Sequence, residues 1–248
     1  SHIDDRLRGL LTYQPPTVDL PPSQLAIARR LTALWSAEWP DGPPIVHMGG
    51  SDADAPRGVA AAACRQIGLE LQMMSASAVP MNPIDRDQLL RLLERELMLT
   101  RCALLVHGDE GELPEAVATF IEHAQCRLLL SRCKAPTRRS DRVVKLEVKK
   151  PTRDEQHRLW RHTLGPAAAG VDGRLDLLVS QFDLTPAAIA AAVAQMRAHA
   201  DDDPLTTDER LWEACRAVAR GPLDDLAQRI ETLATWGELV LPGAQLFT

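Results

Sequence analysis

Residues 45–69 read IVHMGGSDADAPRGVAAAACRQIGL: a short apolar run, a glycine turn and an Ala-rich helical stretch. In a frame of this shape, G-x-x-x-x-G-K-[ST] wraps phosphate groups. Backbone N–H groups point at the phosphates, the lysine reaches the outer two, and the hydroxyl holds magnesium. Counted from Gly50, the second glycine falls on Ala55, the lysine on Pro56 and the hydroxyl on Arg57. The frame is kept, but the groups that grip polyphosphate are replaced. Pro56 has neither N–H nor charge, and Ala55 adds a Cβ where glycine conformations are needed. Asp52 and Asp54 add negative charge beside the turn, and Arg57 offers a cation from the neighbouring position.

Such a turn needs a strand before it and a helix after it, within a fold large enough to hold both. The 248 residues are 45% hydrophobic, enough for one large domain or two modest ones with a core. Aromatics are only 4%, so Leu, Val, Ile and Ala must fill that core. A formal charge of −6 argues against general nucleic-acid binding, which rests on neutralising phosphates with Lys and Arg. Cys64, Cys102, Cys126, Cys133 and Cys215 are odd in number and form no C-x-x-C pair. That pattern fits reduced, buried thiols in a cytoplasmic protein. His47 and His107 close strands on the same edge of the expected sheet, but without a third ligand no metal site is expected. His157 and His162, five apart, do not share a helix face. No apolar run is long enough to cross a bilayer, so no membrane contact is expected.

Along the chain, Pro15-Pro16 and Pro21-Pro22 predict an extended segment over 1–22, lying across a surface. Helices are predicted at 23–38 and from the glycine turn to Ile67-Gly68. Another runs from an Asp85 cap to Leu99, with Pro80 and Pro83 in the loop before it, and one more covers 114–125. Strands are predicted at 45–48, 69–74, 103–106, 127–131 and 143–148. The regular alternation argues for a parallel sheet covered on both faces. After Lys150-Pro151 only helices are predicted. Thr152-x-x-Glu155 and Thr206-x-x-Glu209 are capping boxes, and Thr185 caps a helix with Pro186 at its first position. The helices expected here cover 153–164, 172–182, 186–199, 206–220 and 222–232. Four tryptophans, Trp35, Trp39, Trp160 and Trp212, are expected to pack helices.

This order of elements resembles an AAA+ ATPase module, which implies a P-loop NTPase-like α/β fold. Its three αβα layers hold a parallel five-stranded sheet, followed by a small all-helical lid domain. ALLVHGDE at 103–110 falls where the family's second acidic motif lies. LLLSR at 128–132 falls where the sensor-1 strand ends in a polar residue, here Ser131. VKLEVKKPTRDEQHRLWRHTL at 144–164 resembles the last core strand passing into the first lid helix. FDLTPAAIAAAVAQM at 182–196 resembles the helix that carries sensor 2. TWGELVLP at 235–242 resembles the Trp-containing lead-in to the next module of bacterial tandem AAA+ proteins. The divisions implied are an N-terminal segment 1–22, an α/β core 23–150, a lid 151–234 and a lead-in 235–248.

The resemblance implies a degenerate nucleotide pocket at Gly50, Ala55, Pro56, Arg57, His107, Gly108 and Ser131. His107 and Gly108 stand in for the magnesium-orienting Asp and the water-activating Glu. Asp109-Glu110 form a displaced acidic pair, expected beyond the strand end. Ala187 and Ala188 begin the helix where an arginine is usual, and Arg138, Arg139 and Arg142 form an arginine-finger loop. With three sites altered together, the implied function is that of a catalytically inactive module. It would serve assembly, regulation or substrate docking in a hexameric, ATP-driven protein-remodelling machine, a class that includes assembly of secretion or injection particles. No cofactor is expected in this chain, and ATP and magnesium belong to the parent protein. The implied partners are a downstream AAA+ module, neighbouring protomers and a protein substrate or adaptor. Two alternatives are a weak ATP-binding domain with displaced motifs and a clamp-loader-like, non-catalytic subunit associated with DNA.

Overall fold

The computed structural model describes residues 4–15, 20–40, 42–50, 54–134, 142–171, 173–198 and 206–224. The strands are β1 (Thr12–Gln14), β2 (Ile45–Gly50), β3 (Glu70–Ser75), β4 (Cys102–Gly111), β5 (Leu128–Cys133) and β6 (Val143–Val148). They form one six-stranded sheet in the order β1-β3-β4-β5-β2-β6. All pairs are parallel except β1 with β3, which is antiparallel with Tyr13 opposite Gln72. The expected sheet had five strands; the sixth comes from the segment expected to be merely extended. Thr12 and Tyr13 suit a pleated surface, but three residues carry no readable period.

Helices α1 (Pro22–Ser36) and α2 (Asp54–Gln66) cover one face of the sheet, and α3 (Pro83–Thr100) and α4 (Glu115–His123) cover the other. The strand side chains divide between the two cores by alternation. Leu104, Val106, Leu128 and Leu130 pack with α3 and α4. Ala103, Leu105 and Leu129 pack with α1 and α2. Burial on both faces explains why these strands read as continuous apolar runs.

Two local expectations change. Asp85 does not cap α3; Asn82 does, its Oδ1 accepting from the Ile84 amide at 3.0 Å. Pro83 opens the helix, where its missing N–H costs nothing. Strand β4 also runs to Gly111, so Asp109 and Glu110 lie on the strand, not beyond it. The register against β5 slips between His107 and Gly111, an irregularity that lets polar residues continue the strand.

Beyond β6 lie α5 (Arg153–Leu164), α6 (Leu175–Gln181), α7 (Pro186–Ala198) and α8 (Thr207–Asp224), with no strand among the described residues. A short 3-10 helix, Gly165–Gly170, precedes α6. Residues 222–224 continue α8, and the rest of the helix expected at 222–232 lies outside the described residues, as does the lead-in at 235–248. Both capping boxes form. These helices have their own core, including Trp160, Leu164, Leu175, Ile189 and Leu211. Phe182 meets Trp212 edge-on at 5.1 Å. Of the four tryptophans expected to pack, Trp39 does not: it is 43% exposed.

Candidate functional site

The site lies at the C-terminal edge of the sheet, where β2, β5 and β4 end side by side. Met48 pairs with Ser131, and Ser131 with His107, so one row crosses all three strands. Gly50 ends β2 against β6, and a Cβ there would lie 2.8 Å from the Val148 carbonyl oxygen. That approach demands glycine. Ser51, Asp52 and Ala53 lie outside the described residues, and α2 begins at Asp54.

Ala55 and Pro56 are buried in the first turn of α2. A proline is tolerated there because the first-turn amides lack helical partners. Where the phosphate frame wants a lysine, the helix therefore presents a buried ring. Arg57 is turned back on its own helix: its Nη1 donates to Asp54 Oδ1 at 3.3 Å. Its Nε is buried without a partner among the described residues, and the side chain is only 23% exposed.

His107 stands on β4 near Arg57, Asp109 and Arg132. Burial first, then the charges of Arg57 and Arg132, push its imidazole below the ordinary range, against the pull of Asp109. The neighbouring Gly108 approaches β5 closely. A Cβ there would lie 3.0 Å from both the Arg132 carbonyl oxygen and the Cys133 Cβ. A glutamate at this position would require β5 to give by a few tenths of an ångström. Asp109 is exposed, and the Glu110 side chain lies outside the described positions. Ser131 is 0% exposed, and its Oγ has no hydrogen-bond partner among the described residues.

Other expected residues separate from this row. His47 does not meet His107, because β5 lies between their strands; its Nε2 donates to the Cys133 carbonyl at 2.7 Å. Among the described residues no group of three His, Cys, Asp or Glu could hold a metal ion. Arg142 donates to the Pro43 carbonyl of its own chain at 3.4 Å, at the opposite edge of the sheet. Arg138 and Arg139 lie outside the described residues. Thr185 Oγ1 accepts from the Ala188 amide at 3.1 Å, so the start of α7 is capped within the chain.

One residue that the sequence showed only in part is Glu155. Its capping box with Thr152 was legible, but its carboxylate also accepts from Ser23 at the head of α1. The reach from α5 to α1 crosses 132 positions, which no local pattern signals.

Residues 152–221 match the family described as the contractile injection system ATPase helical domain. Among solved structures, the FIGL-1 AAA domain matches with a TM-score of 0.51 at 13% identity, over 87% of this chain and 90% of that one. The same domain in complex with ADP matches with a TM-score of 0.49 at 13% identity, over 88% and 91%. No curated protein matches the chain. At this identity the shared property is the fold.

Proposed function

With the chain built as an AAA+ ATPase module, we propose that it serves a contractile injection system ATPase as a non-catalytic unit. It contributes interfaces to neighbouring protomers and to a following AAA+ module, while ATP turnover occurs elsewhere. A fold can lose one site and keep its surfaces. The observation that carries this reading is Pro56, buried at the head of α2 where a phosphate-gripping lysine would stand. Gly108 supports it, since any side chain there would press on β5, its Cβ 3.0 Å from the Arg132 carbonyl oxygen. The match at 152–221 supports the injection-system setting. In the same proposal, the helices after Lys150-Pro151 form a lid domain distinct from the α/β core.

A second reading, weak nucleotide binding through Arg57 and Asp109-Glu110, gains one point. Strand β4 carries that acidic pair to the site edge instead of ending before it. Titration with magnesium-ATP separates the two readings. The non-catalytic module gives neither binding heat nor a rise in melting temperature at millimolar nucleotide. A low-micromolar dissociation constant would raise stability by mass action, by roughly 4 kcal/mol at a thousandfold excess over that constant, and would overturn the proposal.

A further inference from the structure

We propose that the groove at the N-terminal ends of the strands docks a peptide segment of a partner protein, one carrying an apolar anchor beside carboxylates. This groove lies at the opposite edge of the sheet from Gly50 and His107. It encloses about 470 Å³, with Trp35, Trp39, Leu97 and Met98 among its walls.

Three observations converge on it. The first is apolar exposure: among its walls, Trp39 is 43% exposed and Met98 79%. Clustered apolar groups of this size mark interaction surfaces, and Trp, Met and Arg are enriched where proteins meet.

The second is rigidity. The Trp39 indole donates to the Leu34 carbonyl at 2.8 Å, and the Gly42 amide donates to the Trp39 carbonyl at 3.2 Å. Gly42 sits at φ +86, the left-handed turn that brings the chain back towards β2. The ring is thus held out by backbone bonds, and a fixed aromatic loses little entropy when a partner covers it.

The third is charge. Arg101 and Arg127 line the groove, and neither side chain has an ion pair or hydrogen bond among the described residues. The groove's carboxylate, Glu94, already accepts from the Gln125 amide at 2.6 Å. The surface therefore offers two unmatched guanidinium groups on a chain whose formal charge is −6. A second copy in a symmetric contact would set these cations against themselves. A segment with Asp or Glu beside an aromatic or aliphatic residue satisfies both the charge and the apolar walls.

The test is a phage-displayed peptide library panned against the 248-residue chain, with the enriched sequences synthesised and titrated by fluorescence polarisation. The expected winners carry Trp, Phe or Leu within a few residues of Asp or Glu. Trp39→Ala and Arg127→Glu should each weaken them by about tenfold or more, the range of a modest interface anchor. A peptide with Lys in place of its acid should regain binding to Arg127→Glu, which a merely misfolded variant would not allow. Winners without acidic residues, no enrichment, or binding indifferent to both variants would overturn the proposal. Self-association of the chain that Trp39→Ala abolishes would assign the face to a second copy and also overturn it.

Discussion

The Ser23 amide donates to Glu155 Oε1 at 2.7 Å, and the Ser23 hydroxyl donates to Oε2 at 2.8 Å. Pro21, the N-cap of α1, has no side-chain group to offer, so the cap arrives from α5. The same carboxylate accepts from the Thr152 amide at 3.0 Å. One side chain thus closes two helix starts, one on each side of the core–helix junction. Glu155→Ala should cost about 2 kcal/mol, at roughly 1 kcal/mol for each cap. Urea unfolding checks this: the midpoint falls with an unchanged slope. A loss under about 0.5 kcal/mol, the scale of an ordinary surface change, would show that the two caps do not act.

Acid should weaken the protein in two stages. The folded pKa of His107 is lowered by burial and by Arg57, with Arg132 adding to the shift and Asp109 opposing it. The unfolded chain then binds more protons, so the His107 contribution is complete above about pH 6.5 and falls as pH drops through the lowered value. For Glu155, burial raises the pKa, but hydrogen bonds from Thr152 and Ser23 outweigh it and hold the carboxyl below its ordinary range. Its contribution is complete above about pH 4.5 and is lost below that. Stability measured from pH 2.5 to 8 should lose its upper slope in His107→Gln and its lower slope in Glu155→Gln. Unchanged slopes in both variants would reject the assignment.

Pro56→Lys returns an amine to the phosphate frame but leaves His107 and Gly108 in place. Catalytic groups act as a unit, so this variant should release no phosphate from magnesium-ATP above the buffer rate. Turnover near about 1 s⁻¹, the low end of ordinary enzymes, would mean that Asp109 and Glu110 are functional.

Ser131→Ala removes a fully buried hydroxyl that has no partner among the described residues. Removing an unsatisfied polar atom avoids its desolvation cost, so stability should hold or rise by about 1 kcal/mol. Thermal unfolding decides it. A fall of that size would show that the hydroxyl is bonded in solution.

Burial pushes the Cys64, Cys126 and Cys215 thiols up to about 12. Thiolate is the reactive form, so a thiol reagent at pH 8 should label these three slowly in the native protein and rapidly in urea. Fast native labelling of Cys126, which lines the groove beside Trp39, would show that burial does not hold its thiol protonated.

The sequence carried the architecture where one physical signal acted alone. Strands buried on both faces had to be continuous apolar runs, as 103–106 and 128–130 are. Capping boxes are local, and Thr152-Glu155 and Thr206-Glu209 formed as read. The misses came where two signals competed. Pro83 read as a breaker because proline interrupts helices, yet at a first turn it starts one. The polar residues after Val106 read as a strand end, yet a register slip carries β4 on to Gly111. Gly50 was legible as a turn residue, but its closeness to Val148 depends on β6, which follows far along the chain. Trp39 shows the same limit, since composition assigns tryptophan to cores and only the turn at Gly42 holds this one outside.

The strand order also sets a schedule for synthesis. Strand β2, which carries the phosphate frame, pairs only with β5 and β6; Ile45 waits for Val143. The pair β3–β4 can close soon after residue 111 is made, but the strand that precedes it in sequence has no neighbour yet. On the ribosome, then, β2 and its Ala-rich helix stay unzipped until nearly the whole α/β region has emerged. Long-range parallel pairing of this kind is slow and leaves apolar edges open in the meantime. A chain cut short before Val143 would not be a smaller version of this protein. It would be a nascent sheet with β2 left as an open edge where β6 should pair, and a ready client for chaperones.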